Sequence, residues 1–187
     1  GGNAPFLVFD DADLDAAVEG LLVAKFRNAG QTCVAANRIL VQKGIFEAFV
    51  AKLEARIRGL VVGPGTVPNV QIGPLIDARG LAKVEAHVAD AIARGGGVLT
   101  GGKRHALGRT FYEPTLLVGV TADAAMSCEE TFGPVAGLLR FEEESDAVRL
   151  ANDTPFGLAA YFYARDVGRV HRVADALEAG MVGVNTG

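Results

Sequence analysis

The spacing of apolar residues changes repeatedly along the chain, and each change marks an element. Phe6-Leu7-Val8-Phe9 is an unbroken apolar run of strand length, closed by Asp10, Asp11 and Asp13. Apolar residues then recur at Leu14, Val18, Leu21 and Leu22, the interval of one helical face. The acidic residues ahead of them suit the positive N-terminal end of a helix. Ile39-Leu40-Val41 reads as a second strand, and Phe46, Phe49, Val50, Leu53, Ile57 and Leu60 as one face of an amphipathic helix. A loop at Gly63–Pro68 precedes a helix on Leu81, Val84, Val88, Ala91 and Ile92, which Gly95-Gly96-Gly97 stops. Thr115–Val120, Val135–Phe141 and Leu158–Tyr163 are β-rich, with a short helix expected over Ser145–Ala151. Val167, Val170, Val173 and Leu177 share a last helical face ending at Gly180, and Val182-Gly183-Val184 is the final strand. Strands apolar on both faces and alternating with helices predict one α/β domain, a mostly parallel sheet flanked by helices.

Composition narrows the function classes. The 187 residues fit a single domain, at about 150 residues per domain. There are 18 basic and 22 acidic residues, net −4, and no block of like charge longer than Glu142-Glu143-Glu144. This balance argues against a nucleic-acid partner. No apolar run approaches the roughly 18 residues that span a bilayer, so no membrane partner is expected. Two cysteines are too few for a disulfide scaffold and suit a reducing, cytoplasmic setting. The chain opens on Gly1-Gly2-Asn3 without a Met and stops at Val184-Asn185-Thr186-Gly187 as a strand-like stretch reaches a loop. A fragment of a longer protein is expected.

Most candidate chemistry dissolves on inspection. The 24 glycines contain no G-x-G-x-x-G. Gly97–Lys103 spells G-x-x-x-x-G-K, but Arg104 replaces the Ser/Thr that would hold Mg²⁺ and the stretch follows a helix, so a surface hairpin is expected. His87, His105 and His171 lack metal-ligand spacing, and no metal is expected. His87 and His171 read as surface or boundary residues, and Glu142–Glu144 as a solvated turn. The cysteines differ. Every charged residue from Lys25 to Arg38 is basic, a setting that favours a thiolate at Cys33, whereas Cys128 is followed by Glu129-Glu130. Cys33 also lies on a polar, glycine-containing segment between helix and strand. It is a candidate nucleophile, the alternative being a small buried apolar residue.

Phe26-Arg27-Asn28-Ala29-Gly30-Gln31-Thr32-Cys33 resembles the active-site signature of aldehyde dehydrogenases. Glu129–Pro134, Asn152–Ala160 and Gly183-Val184-Asn185 are similar to further segments of that family. Arg27 with Ile72–Ile76 and Ala159–Tyr163 most resembles its succinate-semialdehyde branch. The resemblance implies the family's catalytic domain, with Cys33 attacking an aldehyde to give a thiohemiacetal and then a thioester, and NAD or NADP as hydride acceptor. It implies that Glu130 and Phe132 bind the nicotinamide end of the cofactor, and that Arg27 binds the substrate carboxylate. A small-molecule aldehyde and a homo-oligomeric parent are the implied partners. The family's general-base Glu would fall just upstream of Gly1, and its nucleotide-binding domain outside the chain, so the isolated fragment is expected to be inactive. Where relatives often carry a second cysteine, this chain has Ala35. Alternatives are a glutarate-semialdehyde or other aldehyde dehydrogenase, a cysteine hydrolase or acyltransferase, and a non-catalytic assembly module.

Overall fold

In a computed structural model, which describes residues 1–187, the central apolar runs become strands with little or no exposure on either face. β1 (Ala4–Val8) is buried throughout, and β2 (Ala36–Gln42) nearly so. β3 (Gly97–Thr100), β4 (Thr115–Val118), β5 (Val135–Phe141), β6 (Ala159–Tyr163) and β7 (Met181–Val184) complete a seven-stranded sheet in the order β3-β4-β5-β2-β1-β6-β7. Every pairing is parallel except β3 with β4. Pro5, which has no N–H to give a ladder, sits where the β1–β2 register shifts, between Ala4 and Pro5.

Helices α1 (Leu14–Phe26), α2 (Phe46–Arg58), α3 (Ala78–Ala93), α4 (Ala125–Cys128), α5 (Glu144–Asn152) and α6 (Val167–Ala176) fill the connections. The acidic residues ahead of three of them are caps: Asp13 accepts from Ala16 N, Asp77 from Gly80 N and Asp166 from Arg169 N. Each such cap contributes about 1 kcal/mol. Side chains alternate across the strands, so Phe6 and Val8 join α1 and α2 in one core while Leu7 and Phe9 join α3, α5 and α6 in the other.

Two expectations change and one element is new. In the glycine-rich 97–103 stretch, Gly97–Thr100 is the edge strand β3, which pairs antiparallel with β4 across a long connection. A Cβ at Gly101 would lie 2.3 Å from the Pro114 carbonyl oxygen, and Arg104 is paired with Glu85, so these glycines serve close chain approach. The one-turn helix α4 is too short for a periodicity to reveal. The Glu142–Glu144 run is only partly a solvated turn. Glu142 pairs with Lys43, and Glu144 binds both Arg169 and Arg172.

β1 runs on into α1 on one face, and its neighbour β6 into α6 on the other. Ligands of open α/β sheets are expected in the crevice at such a switch, beyond the C-terminal strand ends. Here the crevice is closed by the protein's own charges. Arg169 Nη1 bonds Asp10 at 2.8 Å and Asp11 at 2.6 Å, its Nε bonds Glu144 at 3.1 Å, and its guanidinium lies 4.9 Å from the Phe9 ring centre. Asp11 also accepts from Arg165 N and Asp166 N. Burial opposes the charge on Asp11, but these N–H groups and Arg169 hold its carboxyl below the ordinary value. The Arg172 hydrogen bond, opposed by burial and joined by Arg169, does the same for Glu144.

Replacing Arg169 with Met removes the cation that Asp10, Asp11 and Glu144 share, leaving Arg172 on Glu144 and two backbone N–H groups on Asp11, and should cost about 2–4 kcal/mol in a urea titration. Depressed carboxyl values give stability that is present above the unfolded value of about 4 and lost below it. The gap between variant and wild type should therefore narrow in acid. A variant as stable as wild type at neutral pH would show the cluster to be incidental.

Candidate active site

β5, β2 and β1 are adjacent and parallel, so the segments that precede them emerge side by side at the N-terminal strand ends. Those segments are Glu129–Pro134, the Cys33 loop and Gly1–Asn3. Topology alone gathers three sequence-distant pieces into one site.

The Cys33 loop begins with a turn of unusual hand. After α1 ends at Phe26, Asn28 (φ 54°), Ala29 (φ 55°) and Gly30 (φ 71°) are all left-handed. Such a conformation costs an L-residue roughly 1–2 kcal/mol, so tertiary contacts must hold it. They are visible. A Cβ on Gly30 would stand 2.2 Å from the Gly133 carbonyl oxygen, so the turn packs against that backbone. The Gln31 side chain accepts from Ile76 N at 2.9 Å and donates to Pro74 O at 3.1 Å, fastening the loop to the 72–76 segment. On the far side, the Tyr161 hydroxyl donates to Val34 O at 2.9 Å.

Cys33 is exposed, and its own N–H makes no hydrogen bond within the chain. Its carbonyl faces Gly2, where a Cβ would lie 2.0 Å from the Cys33 oxygen. Gly2 N in turn donates to Glu130 Oε1 at 2.7 Å. The Gly1-Gly2 backbone thus lies between the reactive loop and the Glu130 carboxylate.

The Glu129–Gly133 segment is clamped from several elements. Glu129 pairs with Lys83 of α3, and the Thr131 hydroxyl meets His87 Nδ1 at 2.8 Å. Lys25 of α1 donates to Asn37 Oδ1 at 2.6 Å and reaches Thr131 O at 3.5 Å. His87 is buried, which overturns its expected place at the surface or boundary. Burial, then the Lys83 charge, push its ring below the ordinary value against the pull of Glu129. Arg38, also buried, donates to Asn3 O and to the Leu150 and Ala151 carbonyls that end α5, fixing the chain ahead of β1. Burial pushes its guanidinium down to about 10.

Of the residues singled out by sequence, Cys33 and Glu130 come together on the two sides of Gly1-Gly2. Phe132, 37% exposed, lines a cleft of about 490 Å³ with Asn28, Gln31, Leu75 and Ile76. Arg27 is exposed and lines a separate hollow of about 260 Å³ between α1 and α2. Burial raises the Tyr161 hydroxyl above its ordinary value, Arg27 opposes the rise, and Cys33 adds to it. Tyr161, His87 and Lys25 were not anticipated as parts of the site. The second and third had a signal, since each continues the apolar stripe of its helix. No three or more His, Cys, Asp or Glu side chains are grouped to hold a metal ion, and no helix is long and apolar enough to cross a membrane.

Gly2→Ala forces the backbone away from Cys33 and should cost about 1–3 kcal/mol, the range for overpacking. Gly44→Ala is the control, since a Cβ there meets nothing within 4 Å. Equal stability of the two variants in denaturant titrations would disprove the tight Gly2–Cys33 contact.

The family profile described as "Aldehyde dehydrogenase family" matches residues 1–187. Over 187 residues the chain is 60% identical to the glutarate-semialdehyde dehydrogenase of Pseudomonas aeruginosa, covering 100% of this chain and 39% of the relative. It is equally 60% identical to the NADP(+) succinate-semialdehyde dehydrogenase of Escherichia coli, with 100% and 39% covered. The crystal structure of succinate-semialdehyde dehydrogenase from Burkholderia pseudomallei superposes with a TM-score of 0.99 at 60% identity, covering 100% of this chain and 39% of that one. The chain thus spans about two fifths of the length of the curated relatives it matches. Matched from its first residue to its last, and sharing this sheet with its relatives, the chain belongs to the aldehyde dehydrogenase family.

Proposed function

We propose that the chain is the cysteine-bearing catalytic domain of an NAD(P)-dependent succinate-semialdehyde dehydrogenase, whose nucleotide-binding domain lies elsewhere in the parent. The observation that carries this reading is the meeting of Cys33 and Glu130 across Gly1-Gly2, with an exposed thiol and an uncommitted Cys33 N–H. Cys33 Sγ attacks the aldehyde carbon, and the new oxyanion accepts from the Cys33 N–H. Loss of hydride converts this thiohemiacetal to a thioester, which water cleaves to the acid, freeing the thiol. The bound nicotinamide dinucleotide supplies the hydride acceptor.

The residues present fit the nicotinamide end of such a cofactor. Glu130 commits Oε1 to Gly2 N, leaving Oε2 to accept from a ribose hydroxyl, and Phe132, two residues on, offers a partly exposed ring in the neighbouring cleft. Arg27 binds the distal carboxylate of the substrate, for which a planar guanidinium gives two parallel hydrogen bonds. Glutarate semialdehyde is the second reading, favoured by the equal identity to a glutarate-semialdehyde dehydrogenase. One methylene separates the substrates, worth only about 1–3 kcal/mol in a pocket.

Two measurements on the full-length parent test this reading. Arg27→Gln should raise KM for succinate semialdehyde by roughly ten- to a hundred-fold, the loss of a charge-assisted hydrogen bond, while an uncharged aldehyde of similar length is little affected. Equal effects on both would make Arg27 structural. Limited iodoacetamide labelling near neutral pH, read by peptide mapping, should modify Cys33 before Cys128 although both thiols are exposed. Preferential labelling of Cys128 would sink the nucleophile assignment.

A further inference from the structure

Lys25 plays no part in the chemistry above, yet it is the most conspicuous charge near the site. It follows Val18, Leu21 and Leu22 on the buried stripe of α1 and is itself 0% exposed. An ammonium there is costly unless it is paired. Nothing in the packing of α1 calls for one, because its neighbours on the stripe are apolar. An ammonium carries three N–H donors, and only the contact to Asn37 Oδ1, 2.6 Å, is short. Its reach to Thr131 O is 3.5 Å. Burial pushes the group down to about 7, against the attraction of Glu130.

The two acceptors belong to different pieces of the site. Asn37 stands at the start of β2, just beyond the Cys33 loop, and Thr131 follows Glu130 directly. Both direct oxygen atoms at the end of α1, where no other side-chain donor meets them. The far side of Thr131 is held separately, by His87 on its hydroxyl.

We propose that Lys25 is a positioning residue: its buried ammonium ties the Glu130–Thr131 backbone to Asn37 at the start of β2, and so fixes the placement of the Glu130 carboxylate relative to the Cys33 loop. The role rests on the reading that Cys33 and Glu130 are working groups. Removing the ammonium leaves two buried acceptors without their donor, and the 129–133 segment must shift to satisfy them. The group that moves is Glu130, so the cofactor side of the reaction suffers before the aldehyde side.

The test uses the full-length parent with two variants. Lys25→Met keeps the length of the side chain and removes the charge. Lys25→Met with Asn37→Leu also removes the stranded amide, so that only the Thr131 carbonyl is left without its donor. Melting temperature, kcat and both KM values are measured. In both variants KM for the nicotinamide cofactor should rise roughly ten- to a hundred-fold, KM for the semialdehyde should change little, and the double variant should melt above Lys25→Met. Wild-type kinetics in the double variant would overturn the proposal and leave Lys25 as core filling. So would equal losses on both substrates that follow the melting temperature. A wild-type parent that forms no NAD(P)H from any aldehyde overturns the functional reading itself, and the Lys25 role with it.

Discussion

Parallel pairing of β1 with β2, and of β2 with β5, is the constraint from which the site follows. Parallel strands align their starting points, so whatever precedes each strand is delivered to the same edge of the sheet. Gly1–Asn3, the Cys33 loop and the Glu129–Pro134 segment are brought together this way without any connection between them in sequence. The fine spacing is then set by groups with no side chain at all. Gly2 lies against the Cys33 carbonyl, and Gly30 against that of Gly133. Polar clamps from α1, α3 and β6 hold the three pieces against one another, through Lys25, His87 and Tyr161.

This places the candidate site at the end of the sheet opposite to the one where open α/β sheets ordinarily hold ligands. The usual crevice, between β1 and β6, contains Arg169 and the carboxylates of Asp10, Asp11 and Glu144. The two ends divide their work physically. One is neutralised internally and joins the strands to α5 and α6. The other keeps an exposed thiol, an uncommitted N–H and a partly exposed aromatic ring. The Cys33 loop tolerates its left-handed turn because packing from Gly133 and bonds from Gln31 hold it, a strained conformation of the kind found at working sites.

The architecture was legible because the strands are buried on both faces and read as continuous apolar runs, while the helices repeat with their own period. α5 lies within a residue of its expected limits, whereas α6 begins where expected but ends at Ala176, before the Gly180 stop. Cys33 stood out by local charge, whereas Arg27, Glu130 and Phe132 were recognisable only through resemblance. What could not be read depends on partners far along the chain. Glu144 looked like part of a solvated run because Arg169 and Arg172 lie more than twenty residues away. His87 and Lys25 sit on apolar stripes, and each meets its polar partners, Thr131 and Asn37, in the interior. The Gly1-Gly2 wedge has no local signature, since its reason is the closeness of two other backbones.

The stacked contact of Gly30 on Gly133, and Gly133 on Val84, bears on how this protein can change over generations. A Cβ at Gly133 would meet Val84 Cγ2 at 2.4 Å, so a smaller residue at position 84 opens a two-step route to alanine there. At Gly30 the obstruction, 2.2 Å away, is a carbonyl oxygen of the main chain, and the φ of +71° adds strain for any other residue. No neighbouring substitution can remove either barrier. Position 133 is therefore conditionally open to variation and position 30 closed, and sequences that drift at 133 should carry a reduced side chain at 84.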